Sequence, residues 1–162
     1  MTVLISPSCA RPLLLALSLC LGVLVSACDS GLQPPEDEGT GVITGTITYT
    51  GDWPDASQLQ DLRFIAMRFV PRDTTDFFRL NEMVISDGLP RNVQTHSFRI
   101  EDAPVGTYFY SGVAQKYSED LLAWRPVGLV DGNGGLFTVT RGSTVTVHVD
   151  VDFDHPPDFP PR

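Results

Sequence analysis

The sequence reads as all-β: an antiparallel sandwich of seven to eight short strands over residues 42–153, behind an apolar leader and a polar tether. Three observations predict this. Between Ser143 and Phe153, the residues Val145, Val147, Val149, Val151 and Phe153 alternate with Thr144, Thr146, His148, Asp150 and Asp152, the period of two that buries one face of a strand. Thr44, Thr46, Thr48 and Thr50 alternate in the same way with Ile43, Gly45, Ile47 and Tyr49. Turn-forming residues punctuate the stretch between, and no segment beyond Cys28 sustains a helical period, as in a sandwich of short strands.

Taken in order, the first strand covers Val42–Thr50, and one helical turn is expected near Ala56–Asp61. Leu62–Val70 is apolar on both faces except at Arg63 and Arg68, the pattern of a central strand. Glu82–Ile85 is a short strand, and Thr95–Glu101 puts Phe98 and Ile100 in register. Gly106–Tyr117 reads as one long strand with Tyr108, Tyr110 and Ala114 on one side. Val127–Val130 and Leu136–Val139 flank Asp131-Gly132-Asn133-Gly134-Gly135, whose residue types supply the positive φ of a tight hairpin. Residues 154–162, with Pro156, Pro157, Pro160 and Pro161, form an extended tail of polyproline character.

The N-terminus has a different chemistry. Arg11 is the sole charged side chain among the first 27 residues, and Leu13–Val25 carries no charge at all. As a helix that run would span about 20 Å, short of the ~30 Å hydrocarbon core of a bilayer, so residues 1–27 read as a signal peptide. Val25-Ser26-Ala27-Cys28 resembles the bacterial lipobox, in which small residues precede a cysteine that becomes thioether-linked to diacylglycerol. The resemblance implies that Cys28 is the lipidated N-terminus of the mature chain. Acyl chains at ~0.8 kcal/mol per buried methylene then make a durable anchor. Residues 28–41 are acidic, rich in Pro and Gly and nearly devoid of apolar groups, as a flexible tether is.

Val42-Ile43-Thr44-Gly45-Thr46-Ile47 and Phe98-Arg99-Ile100-Glu101-Asp102-Ala103-Pro104-Val105-Gly106-Thr107-Tyr108, with a Pro-x-Gly-x-Tyr turn, resemble the carboxypeptidase regulatory-like domains. So do Gly142–Val147 and Val151-Asp152-Phe153 near the end. The resemblance implies a transthyretin (prealbumin)-like sandwich. Asp52-Trp53-Pro54 and Trp124-Arg125-Pro126-Val127-Gly128 are similar to positions in bacterial lipoproteins that carry one such domain. These motifs are structural and imply a fold more than an activity.

Charge and composition narrow the function. Beyond residue 27 lie 10 basic and 20 acidic residues, which is no footprint for nucleic acid. The three cysteines are Cys9, Cys20 and Cys28, so the domain itself has no thiol for a disulfide, a zinc site or a nucleophile. His96, His148 and His155 have no metal-ligand spacing, and no Gly-x-Ser-x-Gly elbow occurs. An enzyme is therefore not expected, nor is any cofactor. No metal site is expected either; the nearest approach to a Ca²⁺ site is His148, Asp150 and Asp152 on the outward face of the last strand, aided by Asp131 or Asp154. A solvated acidic face is the preferred reading. Trp53 and Trp124 are the candidate ligand contacts, each beside a proline, where capping the core is the more usual role for tryptophan. The expectation is a monomeric domain held to the membrane through Cys28, at the outer membrane or cell surface rather than the inner membrane. It serves as a non-enzymatic accessory or interaction module with an envelope protein or glycan as its unidentified partner. The alternative is a carbohydrate-binding module using Trp124 or the tyrosines Tyr108, Tyr110 and Tyr117.

Overall fold

The computed structural model describes residues 38–131 and 134–162. The leader, Cys28 and all but the end of the expected tether lie outside the described residues. Among the described residues nine strands run in chain order: β1 Thr40–Thr50, β2 Asp61–Met67, β3 Met83–Ile85, β4 Thr95–Pro104, β5 Gly106–Tyr108, β6 Tyr110–Lys116, β7 Trp124–Leu129, β8 Phe137–Val139 and β9 Thr144–Asp152. They form one sheet of order β4-β1-β9, a second of order β3-β2-β6-β7 and a ribbon β5-β8. The protein is an all-β sandwich.

The alternation in β1 and β9 does what the sequence requires. Ile43, Ile47, Val147, Val149 and Val151 enter the core, while Thr146, His148 and Asp150 face solvent. From the second sheet Leu62, Phe64, Ala66, Val113 and Val127 meet them in the same core. Phe64 and Phe98 pack ring on ring across the sheets, with centroids 4.5 Å apart. Trp53, just past β1, lies over one end of this core, 4.9 Å from Tyr49 and 4.7 Å from Phe153 between ring centroids. The expected helical turn is a short 3₁₀ turn at Ala56–Gln58.

Four features depart from the sequence reading. First, β1 and β9 pair parallel, with Ile43 opposite Val145 and Tyr49 opposite Val151; the other ladders are antiparallel. Second, Gly106–Tyr117 is not one strand. It breaks at Phe109, where the chain crosses from the ribbon to the second sheet. Tyr108 therefore lies in the main core, whereas Tyr110 and Ala114 belong to another cluster on the outer face of the second sheet. Third, β7 and β8 do not form a hairpin: β7 pairs with β6, and β8 with β5. After β7 the chain is drawn to β9 instead, by a Val130–Val149 bridge and the Asp131 N–H donating to the His148 carbonyl at 3.0 Å. Fourth, the tail is docked through Phe159, whose ring centroid is 5.6 Å from that of Phe77.

The Pro-x-Gly-x-Tyr turn holds the ribbon in place. Gly106 has φ 144°, a backbone conformation that a side chain makes costly. The Tyr108 hydroxyl donates back to the Pro104 carbonyl at 2.8 Å, and Arg68 donates to the Val105 carbonyl at 2.6 Å. Along the opposite side the sandwich closes by close backbone approach. A Cβ on Gly112 would stand 2.1 Å from the Gly128 carbonyl oxygen, and one on Gly128 would stand 2.4 Å from that of Asp150. Thus β6, β7 and β9 abut where these residues have no side chains. The open edges are the three-residue β3 and the longer β4. On β4 an Arg99–Glu101 ion pair and Asp102 at φ 54° interrupt a flat edge, features that discourage edge-to-edge pairing.

Candidate functional site

The residues singled out from the sequence do not converge. His148 and Asp150 are neighbours on the outer face of β9, with His148 Nε2 3.0 Å from Asp150 Oδ1. Asp131 joins them, so that one ligand atom from each of the three lies within 4.8 Å of the others. Asp152 goes elsewhere: its Oδ1 accepts from the Asp154 and His155 N–H groups, and its Oδ2 is 3.1 Å from His155 Nδ1. The resulting trio is exposed and offers two carboxylates and an imidazole. Calcium takes six to eight oxygen ligands, and this arrangement reads as a solvated acidic face.

The aromatic candidates separate as well. Tyr108 is fully buried and Tyr110 only 6 % exposed, so neither offers a face for stacking on a sugar. Tyr117 is exposed, with the Arg125 guanidinium 5.7 Å from its ring centroid. Trp53 is half-buried against Tyr49 and Phe153, the core-capping role. Trp124 is half-buried too, but it packs on the outer face of the second sheet rather than on the main core. His96 is half-buried on β4, and its neighbour Ser97 is exposed.

That outer face is the feature the sequence reading missed. A two-layer sandwich normally turns a polar face outward on each sheet. Here β2 places Ile65 and Met67 outward, and β6 places Tyr110, Gly112 and Ala114 beside them. The segment between β2 and β3 folds over this surface. Asp73 caps the 3₁₀ turn Thr74–Phe78 by accepting from the Thr75 N–H at 2.8 Å, and the Thr75 hydroxyl followed by its N–H holds the Asp73 carboxyl below its ordinary range. Arg79 pairs with Glu82 and Asp76 and lies over the Phe69 ring, 3.6 Å from its centroid. Phe77 is thereby brought down onto the sheet, while Phe78 and Leu80 remain 59 % and 61 % exposed.

Between this segment and the sheet is an open groove of about 300 Å³, walled by Phe77, Leu80, Met83, Ile85 and Trp124 over Ile65. Its polar margin is an ion pair, Arg63 Nε to Asp61 Oδ2 at 2.6 Å, with Arg63 also donating to the Ser86 carbonyl. A second cavity of about 10 Å³ shares the Ile65 and Phe77 walls and is also lined by Tyr110, Gly112 and Ala114. The Tyr110 hydroxyl is buried without a hydrogen-bond partner among the described residues, and burial pushes its pKa up to about 12. A signal for this face existed in the sequence. Leu62–Val70 is apolar on both sides, and Phe77-Phe78 and Met83 lie in or next to a segment with few other reasons to be apolar.

The chain matches no protein-family model, no curated protein and no solved structure.

Proposed function

We propose that this chain is a lipid-anchored lipoprotein of the bacterial cell envelope, whose transthyretin-like sandwich works as a non-enzymatic accessory or interaction module. The observation that carries the anchor is Val25-Ser26-Ala27-Cys28 at the end of the uncharged run Leu13–Val25. An acyl anchor compensates for a surface that anionic lipid headgroups would repel, given the excess of acidic residues beyond Cys28. The interaction role is supported by the apolar groove on the outer face of the second sheet, since exposed apolar surface that a fold does not cover itself marks a place of contact. Placement at the outer membrane or cell surface follows from this reading as a proposal of its own.

Carbohydrate binding is the second reading, and Trp124 on the wall of an open groove favours it. The other walls count against it. Phe77, Leu80, Met83 and Ile85 supply no hydrogen bonds to hydroxyl groups, and the polar margin of Arg63 and Asp61 is engaged in its own ion pair, so a sugar would leave most of its polar groups unpaired there.

The anchor is tested by fractionating cells that express the wild-type chain or Cys28→Ala. The wild type is expected in the membrane fraction and released only by detergent, and Cys28→Ala should not be processed at that position. A wild-type chain recovered in the soluble envelope fraction would overturn the reading.

A further inference from the structure

We propose that residues 156–162 are a releasable clasp on the outer face of the second sheet. Docked, the tail holds Phe77 against the apolar cluster of Ile65, Met67, Tyr110 and Ala114. Released, it lets the segment between β2 and β3 lift and uncovers that cluster. This rests on the reading of the domain as an interaction module and names what controls exposure of its apolar face.

The root of the tail is fixed. Phe153 is buried in the main core, and the Asp152 carboxylate accepts from the Asp154 and His155 N–H groups at 2.9 and 3.2 Å, which bends the chain after β9. From there Pro157, Phe159 and Pro161 are half-buried, while Pro156, Asp158, Pro160 and Arg162 are exposed. That is the alternation of an extended segment laid along a surface. The Phe159 ring meets Phe77 at 5.6 Å between centroids. Pro160 and Pro161 border an open cleft of about 690 Å³ with Phe69, Val70, Pro71 and Arg79, so the end of the tail is loosely packed.

Apolar contact alone holds these layers together. Among the described residues no hydrogen bond joins 156–162 to another segment, and the ion pair from Arg162 Nε to Asp158 Oδ2, at 3.6 Å, is internal to the tail. Nor, among the described residues, does a hydrogen bond join 69–81 to the sheet. The Asp76 and Arg79 N–H groups donate to the Asp73 and Asp76 carbonyls, and the Arg72 N–H to the Asp76 carboxylate, all within the segment. Phe77 is the shared contact, packed on the outer face and meeting Phe159. Elements tied to the rest by so few bonds open at the low end of the range of local stabilities. Proline works the other way, since a chain already stiff loses less entropy when it docks, and four of the tail residues are Pro156, Pro157, Pro160 and Pro161. The docked and released tail therefore lie close in free energy, as a switchable contact requires.

Hydrogen exchange on the full chain in detergent, read at single amides, tests the clasp. The Arg79 and Glu82 N–H groups, bonded to the Asp76 and Arg79 carbonyls at 3.1 and 2.9 Å, report on the segment, and the amides of the β1–β9 ladder report on the sandwich. Phe159→Ala should speed exchange at Arg79 and Glu82 about tenfold, the shift expected when one half-buried apolar contact is lost, and leave the β1–β9 amides unchanged. Oxidation of Met67, only 2 % exposed, by hydrogen peroxide should quicken in the same variant, read by peptide mass spectrometry. Asp158→Ala, at an exposed position of the tail, should match the wild type. Equal exchange at Arg79 and Glu82 in Phe159→Ala and the wild type overturns the clasp. Faster exchange in β1 and β9 as well also overturns it, because the tail would then stabilise the whole domain. Faster exchange with Met67 still protected overturns the uncovering of the face, and an equal shift in Asp158→Ala overturns the assignment of the contact to Phe159. Lipidation of Cys28 is read separately, so a chain that is anchored but insensitive to Phe159→Ala loses this inference only.

Discussion

Replacing Gly128 by alanine tests the closure of the sandwich through a single methyl group. The added carbon would lie 2.4 Å from the Asp150 carbonyl oxygen and 3.0 Å from the Val151 Cα, roughly 1 Å short of ordinary contact. Both are main-chain atoms, so no rotamer change relieves the clash. Nor can β9 retreat freely, because it is paired with β1 along nine residue positions from Val42–Thr144 to Thr50–Asp152. Strand β7 must therefore move outward and loosen Val127, which is fully buried. Overpacking of this kind costs about 3 kcal/mol, the upper end of its usual range, or roughly 10–15 °C in Tm for a domain of this size. Urea unfolding followed by circular dichroism measures it, with Gly88→Ala as the control. There the nearest atom to the new carbon is Asp61 Oδ1 at 3.6 Å, and stability should change by no more than about 0.5 kcal/mol. Equal stability of Gly128→Ala and wild type would mean that β7 and β9 do not abut, and the closed side of the sandwich would be wrong.

The remaining predictions use the same logic. Gly106→Val should lower stability by about 1–3 kcal/mol in the same unfolding assay, because φ 144° is strained for a β-branched residue; an unchanged midpoint would contradict the turn geometry. Burial raises Tyr49 and Tyr110 from 10.0 to about 12. The unfolded chain therefore loses these protons first, and their contribution to stability is complete below pH 10 and is lost as the pH rises towards about 12. Burial raises Tyr108 as well, so absorbance titration should show Tyr49, Tyr108 and Tyr110 ionising late and together with loss of the strand spectrum; early ionisation of all three in a folded protein would refute it. Trp124→Ala should cost about 1–3 kcal/mol, below the ~3–5 kcal/mol of a fully buried aromatic, and a loss at the upper figure would mean that Trp124 belongs to the main core.

How much of this was readable in advance depended on whether the information was local. Strands β1 and β9 were legible because alternation over eleven residues is intrinsic to the segment. Their parallel pairing was not, since nothing in either strand names its neighbour. The Asp131–Gly135 segment carries the residues of a hairpin turn, yet turn chemistry describes a change of direction and not which sheet the chain enters next. The same limit applies at Phe109: Tyr108-Phe109-Tyr110 has no punctuation, the turn-type pair Ser111-Gly112 falls inside β6 and not at the break, and the crossing between sheets is enforced by the Tyr108 hydroxyl and Arg68 reaching back to the Pro104 and Val105 carbonyls.

The candidate site was the least legible part. Trp124 was marked from the sequence as a candidate contact whose more usual role is capping the core, but its neighbours Phe77, Met83 and Ile65 come from three separate segments and lie on the outer face of the second sheet. Tyr110 was grouped with Tyr108 because both fall on one face if the strand is continuous. Asp131 and Asp152 exchanged roles for a related reason. Asp152 has His155 three residues away for a partner, whereas Asp131 reaches His148 only through the bridge between Val130 and Val149. Even the Pro-rich tail had a local signal, Phe159, whose partner Phe77 lies far away in sequence.

The central claim, that this sandwich is held to a membrane by lipid, is tested most directly by the mass of the mature N-terminus. Intact-protein and peptide mass spectrometry of the membrane fraction should find a chain beginning at Cys28, with a diacylglyceryl thioether on its sulfur. A mature chain with a free Cys28 thiol, or one beginning at another residue, would contradict the account.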